Sequence, residues 1–330
     1  MQQRSLGRTG RQVSALGLGT WQLGTDWGNV TEDEAIAVLD TAIGHGVTLI
    51  DTADVYGDGR SETLIGRYLA THPGVRVTVA TKMGRQLPQV AANYSAENFR
   101  SWVDGSRRRL GLSTLDLIQL HCPPGEVIDD DATYAALDAL VADGSIAAYG
   151  VSVETCAQAL AAISRPAVTN VQIILNPFRL KPLDEVLPAA RAAGVSIFVR
   201  VPLASGLLSG RYTASTTFAP GDHRTYNRHG EAFDRGETFS GVDFTTGLEA
   251  AAELAAALPE GVSLPAASLA WAASRPGVTS VIPGARNPRQ AAANAEAAQL
   301  LDGGFDIDAF DVVVHKVYDR LLRAEIHPQW

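Results

Sequence analysis

The stretch LIDTADVYG, residues 49–57, ends an apolar run in two carboxylates and a phenol, Asp51, Asp54 and Tyr56. A second run, VTVATK, ends in an ammonium at Lys82, and a third, LDLIQLH, ends in an imidazole at His121. Strand ends ordinarily leave through Gly, Asn or Ser, which turn the chain with little strain. Acid, phenol, ammonium and imidazole together are components of proton transfer. A phenol, with a reference pKa near 10, is too weak an acid unless a neighbour favours the phenolate. An ammonium at ~4 Å does so: at an effective dielectric of ~20 the attraction is about 4 kcal/mol, roughly three pK units before desolvation subtracts. Taken singly, each residue has an ordinary explanation, Lys82 as a surface lysine and His121 as a hydrogen-bonded core histidine. Their occurrence together, at matched positions of consecutive runs, is what those explanations leave out. Asp54 has neither role and is expected to stabilise the turn with its side chain.

The elements that would position these groups alternate along the chain. The runs SALGLGT, VTLIDTA, VTVATK, LDLIQLH, IAAYGVS, VTNVQIIL, VSIFVRVP and VTSVIPG read as buried parallel strands, near-continuous in apolar residues. Helical patterns lie between and after them: Thr31–His45, Ser61–Ala70, Ala96–Leu110, Ala132–Ala142, Thr155–Ile163, Leu183–Ala193, Leu264–Ala273 and Pro288–Leu300. Thr31 with Glu34 forms a capping box, Gly46 and Gly194 stand where a helix ends, and Pro288 takes a first helical position. Eight strands each followed by a helix imply an α/β fold, a (β/α)8 TIM barrel in one domain over 1–330. Residues 1–14 read as an N-terminal hairpin turning at GRTG and closing the barrel floor, and Asp306–Leu322 as an extra C-terminal helix. After strand seven, residues 211–245 are too long for a plain connection. Their mixture of Tyr212, Phe218, Phe233 and Phe239 with Arg224, Arg228 and Arg235 suits a lid over a charged ligand, or a solvated insertion.

Composition narrows the function. The chain has 330 residues, 46% of them hydrophobic, and a net charge of −9, which argues against a nucleic-acid or anionic-membrane partner. The basic run Arg107–Arg109 precedes Leu110–Gly111 and reads as a solvated helix end rather than a phosphate site. Cys122 and Cys156 have no metal-type spacing and point to a reducing compartment. The first residues lack the apolar core of a signal peptide and no apolar stretch is long enough to span a membrane, so a cytoplasmic protein is expected. GLGTWQLG is not a Rossmann fingerprint, since Gln22 stands where the third glycine is needed.

The motifs GLGTWQLG, LIDTADVYG, SETLIGRYL, Thr81–Lys82, LIQLH, AYGVS, PLASGLLSG and VIPGARNPRQAAAN together resemble the aldo-keto reductase superfamily, in order from about Leu16 to Asn294. The resemblance implies a (β/α)8 barrel that binds a nicotinamide dinucleotide and reduces an aldehyde or ketone, a small-molecule carbonyl substrate. It assigns Tyr56 as the general acid, Lys82 as the group that tunes it, Asp51 as the anchor of Lys82, and His121 as a donor orienting the carbonyl.

The same resemblance places the cofactor along Gly19, Thr20, Ser152, Gln172, Arg200, Pro202, Leu203, Ser205, Gly206 and Leu208. Its adenosine end falls at Gly284, Arg286, Gln290 and Asn294. Val153 stands where similar proteins have an Asn that grips the nicotinamide amide, so one contact is missing. Arg200 replaces a tyrosine that relatives lay against the nicotinamide; it would stack there and bias the site toward reduced cofactor, or pair with an acid near the mouth. Arg286 would meet a 2′-phosphate, with Arg289 as competitor, so NADPH is expected and NADH is possible. Trp21 lines the substrate pocket or merely packs, and Trp27 stands beside the same mouth. No metal is called for, and oligomeric state is left open. Two other functions fit the same residues: a cofactor-sensing regulatory subunit with little turnover, and NAD-dependent oxidation of a polyol or sugar alcohol.

Overall fold

The computed structural model describes residues 1–24 and 30–330. Among the described residues, ten strands form two sheets. β1 (Gln3–Ser5) and β2 (Gln12–Ser14) pair antiparallel as the expected hairpin, which turns through Gly7–Gly10. The other eight are β3 (Leu18–Gly19), β4 (Leu49–Asp51), β5 (Thr78–Met83), β6 (Leu117–His121), β7 (Tyr149–Ser152), β8 (Asn170–Ile174), β9 (Ser196–Arg200) and β10 (Val278–Val281). They pair parallel in sequence order from β3 to β10. The ring closes through bridges of Leu16 with Val281 and of Gly19 with Gly284, and Gly17 N donates to Val281 O at 2.8 Å. A Cβ at Gly19 would stand 2.9 Å from Ile282 O, so glycine permits the close approach that completes the barrel. The first strand is shorter than its sequence run because only Leu18–Gly19 keeps regular pairing.

Side chains from six stations around the barrel, Leu49, Ala80, Leu117, Ala148, Phe198 and Ile282, form one interior cluster with Leu6 and Val13 of the hairpin. The hairpin sits at the strands' N-terminal ends, where Ser14 N donates to Thr48 Oγ1 at 2.8 Å and Gly7 N to Ser196 Oγ. The floor of the barrel is therefore filled and its C-terminal mouth is left for the site.

Helices cover the outside: α1 (Glu32–Gly44), α2 (Arg60–Thr71), α3 (Ala96–Leu110), α4 (Gly125–Asp129), α5 (Asp131–Ala142), α6 (Cys156–Ile163) and α7 (Val186–Ala193). The series continues with α8 (His223–Tyr226), which belongs to the long connection at the mouth, and then α9 (Phe244–Ala256), α10 (Leu264–Ser274), α11 (Pro288–Glu296), α12 (Ile307–Leu321) and α13 (Arg323–Ile326). The capping box at Thr31 is present with both bonds. α7 starts three residues later than its apolar pattern, because Lys181–Leu183 form a separate 3-10 turn, and α11 gives way to a 3-10 turn at Ala297. The basic run at the end of α3 is only partly solvated. Arg108 is exposed, but Arg109 Nε bonds Glu62 Oε2 at 2.6 Å, and Glu62 is fully buried. Among the described residues, no helix is long and apolar enough to cross a membrane.

The long connection after β9 folds down onto the mouth. Tyr212, Phe218 and Phe239 pack with Phe244, with ring centroids 5.1–6.3 Å apart, and the Arg224 guanidinium lies 4.3 Å from the centroid of Phe218. Phe233 packs elsewhere, beside Trp21 and His223.

Candidate active site

Asp51 and His121 end β4 and β6, Lys82 stands one residue before the end of β5, and the turn after β4 returns Tyr56 to the same place. Lys82 Nζ bonds Asp51 Oδ2 at 2.7 Å and Thr52 O at 2.8 Å, and lies 3.4 Å from the Tyr56 hydroxyl. The rings of Tyr56 and His121 meet edge to face with centroids 6.0 Å apart. The turn needs glycine at Gly57, whose φ is +60° and whose Cβ would collide with Gly24 O.

Burial governs the electrostatics. It pushes the Tyr56 phenol above its ordinary value of 10, and the Lys82 charge offsets only part of that rise. The expectation that the ammonium would lower the phenol's pKa thus fails for the resting site: desolvation outweighs the attraction. Burial pulls the Lys82 ammonium down, but Asp51 first and Tyr56 next more than reverse it, so Lys82 stays charged. His121 is held well below its ordinary 6.5, by burial first and then by Arg85, Lys82 and Arg200. It is a neutral imidazole, able to donate from one nitrogen.

Asp54 departs from the sequence reading. It is 1% exposed, and neither carboxylate oxygen has a hydrogen-bond partner among the described residues, so it does not brace the turn. Burial, then the neighbouring charge of Glu62, raises its pKa from 3.8 to about 7.

A cavity of about 430 Å³ runs from Tyr56 and His121 to Arg286 and Gln290. Gly19, Thr20, Trp21, Ser152, Gln172, Arg200, Pro202, Leu203, Ser205, Gly206, Gly284, Arg286, Gln290 and Asn294 line it. Leu208 does not: its apolar side chain is fully buried in the hydrophobic core instead. Trp27 lies outside the described residues. Several lining groups already have partners. Gln172 Nε2 donates to Asp51 Oδ1 at 2.7 Å, Thr20 Oγ1 to Asp51 O at 2.9 Å, and Ser205 Oγ to Glu237 O at 2.9 Å. Gln290 Oε1 accepts from Arg286 N at 2.8 Å at the start of α11, and Asn294 Nδ2 donates to Gly284 O at 3.0 Å.

Of the two readings for Arg200, pairing with acids is what the structure shows. Its guanidinium hydrogen-bonds Glu154 at 2.7 Å, ion-pairs with Glu237 at 2.6 Å, and donates to Val153 O at 3.0 Å. Two carboxylates balance the cation, so the expected bias toward reduced cofactor loses its electrostatic basis. Cys122, Glu154 and Glu237 bring potential ligand atoms within 4.8 Å of one another, but guanidinium groups of Arg200 and Arg85 already supply the cations there.

Sequence reasoning did not single out Gln22, Arg211 or Glu237, which also line the cavity with Tyr212 and Arg224 of the long connection. Arg211 directly follows the PLASGLLSG motif, a signal that was present. Glu237 carries no local signal, since its pairing with Arg200 depends on how the connection folds.

Strain marks the same region. Among the described residues, the non-glycine positions with left-handed φ are Asp58, Cys122, Val201, Ala204, Ser205, Phe239 and Ser240. All but Asp58 belong to the mouth or the segment packed on it, where such conformations persist only if their surroundings impose them.

Comparison with known proteins gives concordant results. Residues 15–307 match the Aldo/keto reductase family. The chain is 30% identical to the aldo-keto reductase YhdN of Bacillus subtilis, over 90% of this chain and 88% of that protein. It is also 30% identical to a probable voltage-gated potassium channel subunit beta of rice (Oryza sativa), over 91% of this chain and 92% of that one. The structure of a glycerol dehydrogenase from Gluconobacter oxydans superposes with a TM-score of 0.78 at 29% identity, covering 99% of this chain and 98% of that one.

Proposed function

The chain belongs to the aldo/keto reductase family, and from that premise we propose that it reduces an aldehyde or ketone with NADPH, using Tyr56 as the acid. The observation carrying this reading is Lys82 Nζ, held 2.7 Å from Asp51 and 3.4 Å from the Tyr56 hydroxyl beside a cavity that runs on to Arg286 and Gln290.

The cavity's chemistry fits such a ligand. Gly206 and Gly284 let Tyr212 and Gln22 close-pack into the cavity wall, and the Arg286 side chain, just before α11, is offered to an anion at the far end. Bound there, the cofactor supplies the hydride. His121, neutral, donates a hydrogen bond to the carbonyl oxygen and fixes its orientation. Hydride addition leaves an alkoxide, a far stronger base than a phenolate, so the phenol need not be acidified to give up its proton. Lys82 then faces the phenolate left behind: at 3.4 Å and an effective dielectric of ~20 the attraction is about 5 kcal/mol. Asp51 keeps that ammonium in place.

Two relatives favour neighbouring readings. Likeness to a glycerol dehydrogenase over nearly the whole chain supports alcohol oxidation by the same residues in reverse. The channel-subunit relative supports a cofactor-binding role with little turnover. The test is NADPH consumption across aldehydes, ketones and quinones, alongside binding of both cofactors. Turnover, with NADPH bound at least tenfold (about 1.4 kcal/mol) more tightly than NADH, is expected. Tight binding without turnover favours the subunit reading, and equal affinities remove Arg286 from 2′-phosphate recognition.

A further inference from the structure

The lid segment 234–241 is gripped from two sides. On its inner side Ser205 Oγ donates to Glu237 O at 2.9 Å, Phe239 N donates to Ser205 Oγ at 3.1 Å, and Asn176 Nδ2 donates to Ser240 Oγ at 2.7 Å. There Glu237 reaches Arg200 inside the cavity. On its outer side stands Trp330, beyond α13 and 6% exposed. The indole Nε1 donates to Asp234 Oδ1 at 3.0 Å, and the ring has the Arg179 guanidinium 4.3 Å and that of Arg235 5.6 Å from its centroid. Arg235 is tied to the same tail through Gln329 at 2.9 Å. A Cβ at Gly241 would collide with the ring, and one at Gly236 would collide with Arg179. Arg179 in turn donates to Glu154 O at 2.6 Å, and Glu154 is the second acid on Arg200.

Between these grips Phe239 and Ser240 have φ of +54° and +60°, a conformation that non-glycine residues leave when their surroundings release them. The inner contacts are a few buried polar bonds, which depend on the segment staying seated. The outer contact is a close-fitted aromatic wedge. Removing the wedge should therefore free the segment, Glu237 included.

We propose that Trp330 is a positioning residue: it holds the lid segment down, keeps Glu237 on Arg200, and so sets how fast a dinucleotide leaves the cavity. The proposal rests on the reading that this cavity binds NADPH. Glu237, Ser205 and Tyr212 form one wall of that cavity, so a ligand lying along it departs fastest when the wall lifts.

The experiment is stopped-flow release of NADPH from the wild type, Trp330→Ala, Trp330→Phe, Glu237→Gln and the Trp330→Ala/Glu237→Gln double variant, with melting temperatures measured on each. Trp330→Ala should release NADPH at least tenfold faster. Trp330→Phe, which keeps an aromatic ring for the Arg179 guanidinium, should stay within about threefold of wild type. The double variant should be no faster than Trp330→Ala alone, because Glu237 has already been displaced. If Trp330→Ala does not fold, Gly241→Ala pushes on the same contact from the lid side and should accelerate release likewise. An unchanged release rate with a lowered melting temperature would overturn the proposal, leaving Trp330 as packing for the last helices. Multiplying effects in the double variant would overturn the route through Glu237. A wild type that binds no NADPH would instead overturn the cofactor reading, a result separable from the others.

Discussion

Asp51 and Asp54 stand three residues apart and meet opposite surroundings. Asp51 accepts from Lys82 and Gln172, whereas Asp54 is buried without a hydrogen-bond partner among the described residues. Its pKa of about 7, against an ordinary 3.8, means the folded protein holds a proton there that the unfolded chain has released between those values. Stability from this group is thus fully present below about pH 4 and is lost as pH rises through 7, on the order of 4 kcal/mol in all. Asp54→Asn, which imitates the protonated acid, should be more stable than wild type at pH 8 and nearly equal at pH 4. Melting curves at both values check this, and a gap independent of pH would contradict it. The residue types of Asp51, Tyr56, Lys82 and His121 were legible because chemistry restricts what can end a barrel strand. The state of Asp54 and the partners of Arg200 were not, because both depend on what other elements bring to them.

The turn that follows β4 decides where Tyr56 points. Gly57 passes directly over Gly24 with a left-handed φ, so Gly57→Ala must strain the backbone and push the two segments apart. We expect a loss of at least about 1–3 kcal/mol of stability. Turnover should fall further than cofactor affinity does, because the displaced group is the phenol; equal losses in both would show that the turn does not position Tyr56. Most elements could be read from the sequence because their apolar periods and caps are local signals: Thr31 with Glu34, Pro288, and Gly194 after α7. The lid connection was legible only as an anomaly of length and composition. Its fold depends on distant partners, Trp330 from the far end of the chain and Ser205 at the mouth, and no local pattern announces such pairings.

Across the whole molecule, one end of the barrel is packed and the other carries the strain and the charge. Leu6, fully buried, joins hairpin to barrel interior at the packed end. Leu6→Ala should cost about 2–5 kcal/mol of stability through lost burial and the cavity left behind. The cofactor affinity of the folded protein should be unchanged, and a marked loss of affinity would mean that floor and mouth are coupled. The barrel was legible from the alternation of strands and helices, since eight parallel strands with short crossovers leave few other closures. Closure through Gly17 and Gly19 was not, because it rests on close backbone approach rather than on side-chain pattern.

The central claim is that Tyr56 supplies the proton that completes carbonyl reduction. Its most direct test is single-turnover oxidation of bound NADPH by the best carbonyl substrate, comparing wild type with Tyr56→Phe. The account expects the rate to fall by roughly 10²–10⁴ while NADPH binds as before, since the phenylalanine ring keeps the packing against Trp21 and His121. An undiminished rate in Tyr56→Phe would contradict it and assign the acid to another group.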